Sequence, residues 1–374
     1  GTSVKKDHIE DTSFQKYVYE NCGLKIKKYY IMYLNNEYVK NGEVDINELF
    51  IKEDITDDVE SVYDGIEDRI KYLLELINCD EYDEVKYGKH CESPKTCPNP
   101  ELDWEDELPE HNVFELYFGE KKSKMLYNEC DCVEIKDIPN RIKLSDKQKI
   151  QVDCVRSNQT HISRTNIKNF LENLEFPLWH LDFESFQSGI PLYCGSKPFQ
   201  QIPFQFSLHI QHKDNTIEHC EFLAQGQEDP RIKFIETLKN KLGDEGSIIV
   251  YNKSFEMSVM KKIGEFLPQY QKWIKELEPR YVDLLDVFRN FWYYNPIQRG
   301  SCSIKKVLPA LVPSMSYSEL EIGNGGDASL EYFYSIFKYT DNKQIEDIRK
   351  HLLLYCQMDT LAMVKLVEEL EKLV

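Results

Sequence analysis

The second half of the chain alternates short β-branched or aromatic runs with stretches of helical spacing. Leu178–Phe186, Phe204–Gln211, Ile217–Leu223 and Ser247–Tyr251 read as strands. Asn252 suits the N-cap of a helix that follows the last of these, and the pattern from Asn342 to the end reads as one long helix. Such alternation predicts an α/β layer structure with helices flanking a sheet. The first half reads differently. Asp11 would cap a helix carrying Gln15 and Tyr19, Lys27–Leu34 is strand-like, and Asn35–Glu37 marks a turn. Val59–Cys79 has strong helical periodicity, with Val62, Ile66, Ile70, Leu73, Leu74 and Ile77 apolar. From Tyr117 to Glu175 the chain is polar and helical, punctuated at Ile138-Pro139 and capped at Ser145. The expected organisation is an α+β module over 1–118, a helical connector over 119–175 and an α/β domain over 176–374.

Three acid-bearing segments interrupt this pattern. In Trp179-His180-Leu181-Asp182-Phe183-Glu184-Ser185 the carboxylates of Asp182 and Glu184 are two apart on a strand, so they point to the same face. Apolar neighbours imply burial, and buried like charges need a cation or a shared proton. Glu256 falls in the first helical turn after Asn252, in Asn252-Lys253-Ser254-Phe255-Glu256. Tyr355 and Asp359 are four apart, on one face of the last helix. Singly, each motif has an ordinary structural meaning: a solvated strand pair, a capped helix, an amphipathic face. Their order and setting carry the reading. Asp283 and Asp286 lie in Val282-Asp283-Leu284-Leu285-Asp286, where Asp283 reads as a helix cap, with a spare acid near the site as the alternative.

Asp-x-Glu on a strand, Asn-x-x-Phe-acid at a helix start and Tyr-x-x-x-Asp on a late helix resemble the DEDD superfamily of 3′→5′ exonucleases, in its DEDDy branch. The resemblance covers roughly Phe176 to Val374. It implies a ribonuclease H-like domain with a mixed sheet. It also implies that Asp182, Glu184 and Asp359 hold metal, with Glu256 standing where the family usually has Asp, and that Tyr355 orients the attacking water. The implied cofactors are two divalent ions, Mg²⁺ or Mn²⁺, since all-oxygen ligands suit hard cations. The implied substrate is the 3′ end of nucleic acid, DNA in preference to RNA, and single-stranded. Phe186 and Phe255 are candidates to stack under terminal bases beside Asn252, whereas Phe183 and Tyr251 read as core. Lys305 and Lys306, after the loop Gly300-Ser301-Cys302-Ser303, are candidates for phosphate contact. The rival reading is a nucleic-acid-binding or scaffold protein with a degenerate nuclease site. A third, paired carboxylates for glycoside hydrolysis, leaves Tyr355 without a role.

Gln15 and Tyr19 form Gln-x-x-x-Tyr ahead of a strand and a cysteine-bearing segment. This resembles the C-terminal part of RecB-like PD-(D/E)XK nucleases, some of which resemble cluster-bearing CRISPR-adaptation nucleases. The family's catalytic Asp and Glu-x-Lys lie upstream of that helix, and the fourteen residues before Gln15 contain no Glu-x-Lys. The module is therefore expected to be partial and inactive in cleavage. A first residue that is glycine suggests numbering that starts inside a longer protein. The tandem of the two halves resembles an uncharacterised bacterial family. Cys91 and Cys97, with His90, resemble the C-terminal ligand stretch of the cluster-bearing relatives. Two thiolates do not hold a [4Fe–4S] cluster, so no iron–sulfur cluster is expected.

Charge and cysteine content narrow the setting. The net charge of −19 opposes long-range attraction to a polyanion, so any nucleic-acid contact must use local cations. Lys25–Lys28 and Lys121–Lys124 read as solvated faces. The 11 cysteines show no disulfide spacing and no apolar run is long enough for a membrane span, which together predict a reducing, cytoplasmic setting with no membrane partner.

Overall fold

A computed structural model describes residues 1–79, 108–318 and 320–374. The stretch with His90, Cys91 and Cys97 lies outside the described residues. The chain divides into two compact units, one of Gly1–Asp106 with Ser188–Gln200 and one of Glu107–Gln187 with Gln201–Val374.

In the first unit, β1 (Tyr30–Leu34) pairs antiparallel with β2 (Phe50–Asp54). Helices Lys6–Asn21, Thr56–Tyr63 and Ile66–Ile77 accompany them. Tyr29, Ile55 and Val59 form a small buried core. Two expectations need correction here. Asp11 does not start the first helix. Its carboxylate instead accepts from Gln15 Nε2 within the helix, which begins at Lys6. The single helix expected over Val59–Cys79 is broken at Gly65, whose left-handed backbone (φ 90°) no helix interior accommodates. Beyond the break Leu73, Leu74 and Ile77 are exposed rather than core-facing.

The second unit carries β3 (His161–Ile162), β4 (Leu178–Phe186), β5 (Ile202–Gln211), β6 (Ile217–Leu223), β7 (Ile248–Val250), β8 (Tyr281–Asp283) and β9 (Tyr293–Tyr294). Five of them form one mixed sheet in the order β6-β5-β4-β7-β8. β4 pairs antiparallel with β5 and parallel with β7, and β7 pairs parallel with β8. The architecture is mixed α/β. The chain was expected to reach a helix cap at Asp283 without a strand; it forms β8 first. That segment is too short for an alternation signal, and pairing with β7 decides it.

Strand alternation gives the sheet two unlike faces. Trp179, Leu181 and Phe183 of β4 join Phe206 and Leu208 of β5 in an apolar core, closed by Phe234, Ile235 and Leu238 of helix Pro230–Lys241 and by Val259, Met260 and Ile263 of helix Lys253–Phe266. Each fully buried side chain of this kind contributes roughly 1.5–3 kcal/mol. The opposite face is polar yet buried. His180, Asp182 and Glu184 lie across from His209, Ser207 and Gln205 of β5. Helix Asn342–Glu371 covers that face and supplies its partners. Gln205 Nε2 donates to the Leu352 carbonyl at 2.8 Å, and the Thr360 hydroxyl lies 2.7 Å from Ser207 Oγ and 2.8 Å from His209 Nδ1. These bonds fix the helix in rotation and register, while His180 Nδ1 and Gln205 Oε1 on the same face stay buried without a partner.

Within the same unit, residues 113–155 pack around Val113, Leu116, Leu126, Ile135 and Val152. Ser145 caps helix Asp146–Ser157 through a capping box with Gln148, as its sequence predicts.

Candidate metal centre

The site forms where the polar face of β4 meets the last helix. Strand alternation puts Asp182 and Glu184 on that face. One helical turn separates Tyr355 from Asp359, which puts both on the side of the helix that packs against β4. Carboxylate oxygens of Asp182, Glu184 and Asp359 all lie within 4.8 Å of one another. Glu184 and Asp359 are each 8% exposed. Together with Tyr251, Ile304, Lys305, Tyr355 and Met363 these acids line a cavity of about 180 Å³.

Three acids this close cannot all stay ionised without a compensating charge. Burial, then the Asp359 charge, pushes Asp182 well above the usual carboxylate range. Burial, then the charges of Asp182 and Asp359, does the same to Glu184. Burial also pushes Asp359 up, to about 6, against the opposing pull of a hydrogen bond from Tyr317 and of the Lys305 charge. Other groups soften the repulsion. Glu184 Oε2 lies 3.6 Å from the point a Gly325 side chain would occupy, so the glycine start of helix Gly325–Phe337 approaches this carboxylate closely. The Cys356 thiol, pushed up by burial and then by Asp182, lies 3.7 Å from Asp182 Oδ2.

The cavity therefore offers an all-oxygen donor set whose mutual repulsion a divalent cation would relieve, and hard-cation chemistry fits it. Tyr355 is held neutral, raised by burial first and by Asp359 next. Lys305 places its amine 5.1 Å from the Tyr355 ring centre and bonds the Gly323 carbonyl.

The other residues expected at the site are placed less uniformly. Glu256 is buried in the first turn of its helix and stands outside the three-acid group. Its Oε2 has no hydrogen-bond partner, and burial, then the Asp182 charge, pushes it well above the usual range. Asn252 is exposed in a left-handed conformation (φ 96°), and its side chain makes no cap to the helix backbone; it accepts from Ser254 Oγ at 2.6 Å. Lys306 is exposed. Phe186 was expected to stack under a base, but it is 1% exposed and packed among Phe204, Tyr332 and Phe333, so no ring face is left for a ligand. Phe255 is partly buried against the apolar core. Phe183 belongs to the apolar core, as expected, and also borders the cavity, as does Tyr251, which was expected to be core. Asp283 accepts from the backbone of Leu285, as a cap would, but also from the backbone of Asn252, and it pairs with Arg289 at 2.6 Å.

Tyr317 was not anticipated. Its hydroxyl donates to Asp359 Oδ1 at 2.6 Å, and its ring sits 6.5 Å from that of Tyr355. No spacing or period in the sequence ties residue 317 to residue 359, so only tertiary packing reveals it.

Residues 179–303 match a family described as a domain of unknown function (DUF2779). That span holds Asp182, Glu184 and Glu256 and stops before Tyr355 and Asp359. Among curated proteins, the chain is 28% identical over 239 residues to the uncharacterized protein UU173 of Ureaplasma parvum, covering 59% of this chain and 34% of that protein. It is 28% identical over 218 residues to the uncharacterized MG366 homolog of Mycoplasma pneumoniae, covering 53% of this chain and 32% of that protein. To the uncharacterized protein MG366 of Mycoplasma genitalium it is 22% identical, covering 100% of this chain and 64% of that protein. The chain thus spans between about a third and two thirds of these relatives' lengths. Among solved structures, the family B DNA polymerase from the hyperthermophilic archaeon Pyrobaculum calidifontis aligns over 50% of this chain and 24% of that chain, with 16% identity and a TM-score of 0.34. Among the described residues, no helix is long and apolar enough to cross a membrane.

Proposed function

We propose that this chain carries a metal-dependent 3′→5′ exonuclease that hydrolyses phosphodiester bonds at the end of single-stranded DNA, on a ribonuclease H-like domain over 176–374. One observation carries this reading: three carboxylates from a strand and a distant helix, two buried and one half-buried, converge within 4.8 Å, and Tyr355 lines the same cavity one turn from Asp359. Asp182, Glu184 and Asp359 would hold Mg²⁺ or Mn²⁺. Such ions, when bound, supply Lewis-acid polarisation of the phosphate and a more acidic water. The protein's own groups do the rest. The neutral Tyr355 hydroxyl orients a water in the cavity, and Tyr317 holds Asp359 in one rotamer through its hydrogen bond. Lys305, whose amine lies over the Tyr355 ring, meets the charge of an incoming phosphate.

The rival, a nucleic-acid-binding protein with a degenerate site, draws support from Glu256 standing outside the acid group. The deciding experiment is digestion of a 5′-labelled oligonucleotide with Mn²⁺ by wild type and by Asp182→Ala. Shortening from the 3′ end that disappears in the variant supports the nuclease. Binding without shortening in either protein supports the rival.

A further inference from the structure

A second cavity adjoins the acid pocket. It measures about 720 Å³, and Tyr117, Phe118, Asn252 and Arg289 are among the residues lining it, with Tyr251 and Ile304 shared between the two cavities. At about 180 Å³ the acid pocket has room for a phosphate and ions but not for a nucleoside as well. The neighbour falls in the size range of ordinary ligand sites. Tyr251 is a fixed partition between them, since its hydroxyl donates to the Cys302 carbonyl at 2.6 Å.

The wall contributed by Tyr117 and Phe118 is built at a conformational cost. Phe118 is 90% exposed, yet its backbone is left-handed (φ 44°). A bulky residue gains nothing by itself from that combination, and such outliers concentrate where a ligand is held. Gly119 makes the turn possible, because a side chain there would come within 2.7 Å of Leu116. Tyr117 supports the exposed ring edge-on, with centroids 4.6 Å apart. Asn252 on the same cavity is also left-handed (φ 96°). Cations flank the run from this cavity to the acids. The Lys147 amine sits 5.6 Å from the Tyr117 ring centre, and Lys305 stands at the acid pocket.

We propose that this cavity seats an unstacked nucleobase of single-stranded nucleic acid, with Phe118 as the stacking platform. The chain's phosphates would run past Lys147 and Lys305 toward the acids. The proposal deepens the nuclease reading and rests on it for the direction of the strand. Arg289 in the lining is already paired with Asp283 and Asp286, so the Lys147 and Lys305 amines along the route and continuity with the acid pocket favour this occupant over an apolar peptide. An exposed ring available only to an unpaired base makes Phe118 a determinant of single-strand specificity.

The test is binding of the full chain by fluorescence anisotropy, with Ca²⁺ present. The probes are a fluorescein-labelled oligothymidylate and an abasic deoxyribose chain of equal length. Wild type should prefer the base-bearing probe. Phe118→Ala should weaken its binding about 5- to 100-fold and remove the preference, as expected for loss of one stacked base. Phe118→Trp should keep the preference, with its indole emission quenched by the bound strand. Equal affinity of Phe118→Ala and wild type, equal binding of the two probes by wild type, or no binding of either probe would overturn the proposal. Digestion with Mn²⁺ is read separately. Hydrolysis by a wild type whose affinity ignores Phe118 removes the stacking site and leaves the nuclease. Phe118-dependent base binding without hydrolysis removes the nuclease and leaves the stacking site.

Discussion

Replacing Asp359 by asparagine should make the metal-free protein more stable at pH 8, although the residue is buried and hydrogen-bonded. Asp359 titrates at about 6 in the fold against an ordinary 3.8, chiefly through burial. The fold therefore keeps a proton that the unfolded chain releases between those values. The stabilising contribution is complete below pH 4 and is lost as pH rises through 6. A shift of that size corresponds to about 3 kcal/mol at pH 8. Asparagine keeps an oxygen to accept the Tyr317 hydroxyl and removes the charge. Thermal unfolding in EDTA should rise by roughly 5–10 °C in Asp359→Asn at pH 8, and the gap should shrink to about a third at pH 4.5. Excess Mn²⁺ should reverse the order. Metal at about 1,000 times its dissociation constant stabilises the wild type by about 4.1 kcal/mol, more than its deficit of about 3 kcal/mol, and the variant lacks a ligand. The reasoning fails if the variant is no more stable than wild type in EDTA at pH 8, or if both respond equally to Mn²⁺.

Three other substitutions probe separate parts of the structure. Tyr355→Phe should slow hydrolysis about 10- to 100-fold and leave Mn²⁺ affinity, measured by calorimetry, nearly unchanged; loss of metal binding would contradict a water-positioning role. Glu256→Gln should leave stability at pH 8 equal to or above wild type, because burial already favours the protonated acid; a clear loss in urea unfolding would show that this side chain needs its charge. Phe206→Ala, at a fully buried position on the apolar face, should cost about 3–5 kcal/mol in urea unfolding, and a cost below about 1 kcal/mol would refute the packing described.

Local pattern determined a good deal. Period-two alternation placed β4 and β6 to the residue and put Asp182 and Glu184 on one face, because neighbouring side chains on a strand have no other choice. The helix from Asn342 was equally legible, since 30 residues of helical spacing leave little ambiguity, and with it came the shared face of Tyr355 and Asp359. Shorter signals failed where neighbours decided. β8 exists by pairing with β7, the break at Gly65 divides one expected helix, and Phe186 is taken into an aromatic cluster by Tyr332 and Phe333. Periodicity reports which way a side chain faces and says nothing of what it meets there. The Tyr317 bond to Asp359, the position of Glu256 outside the three-acid group yet within reach of the Asp182 charge, and the Tyr251 wall shared by two cavities involve residues far apart along the chain. Contacts of that kind depend on how helix and sheet pack together, so they became visible only in the tertiary structure.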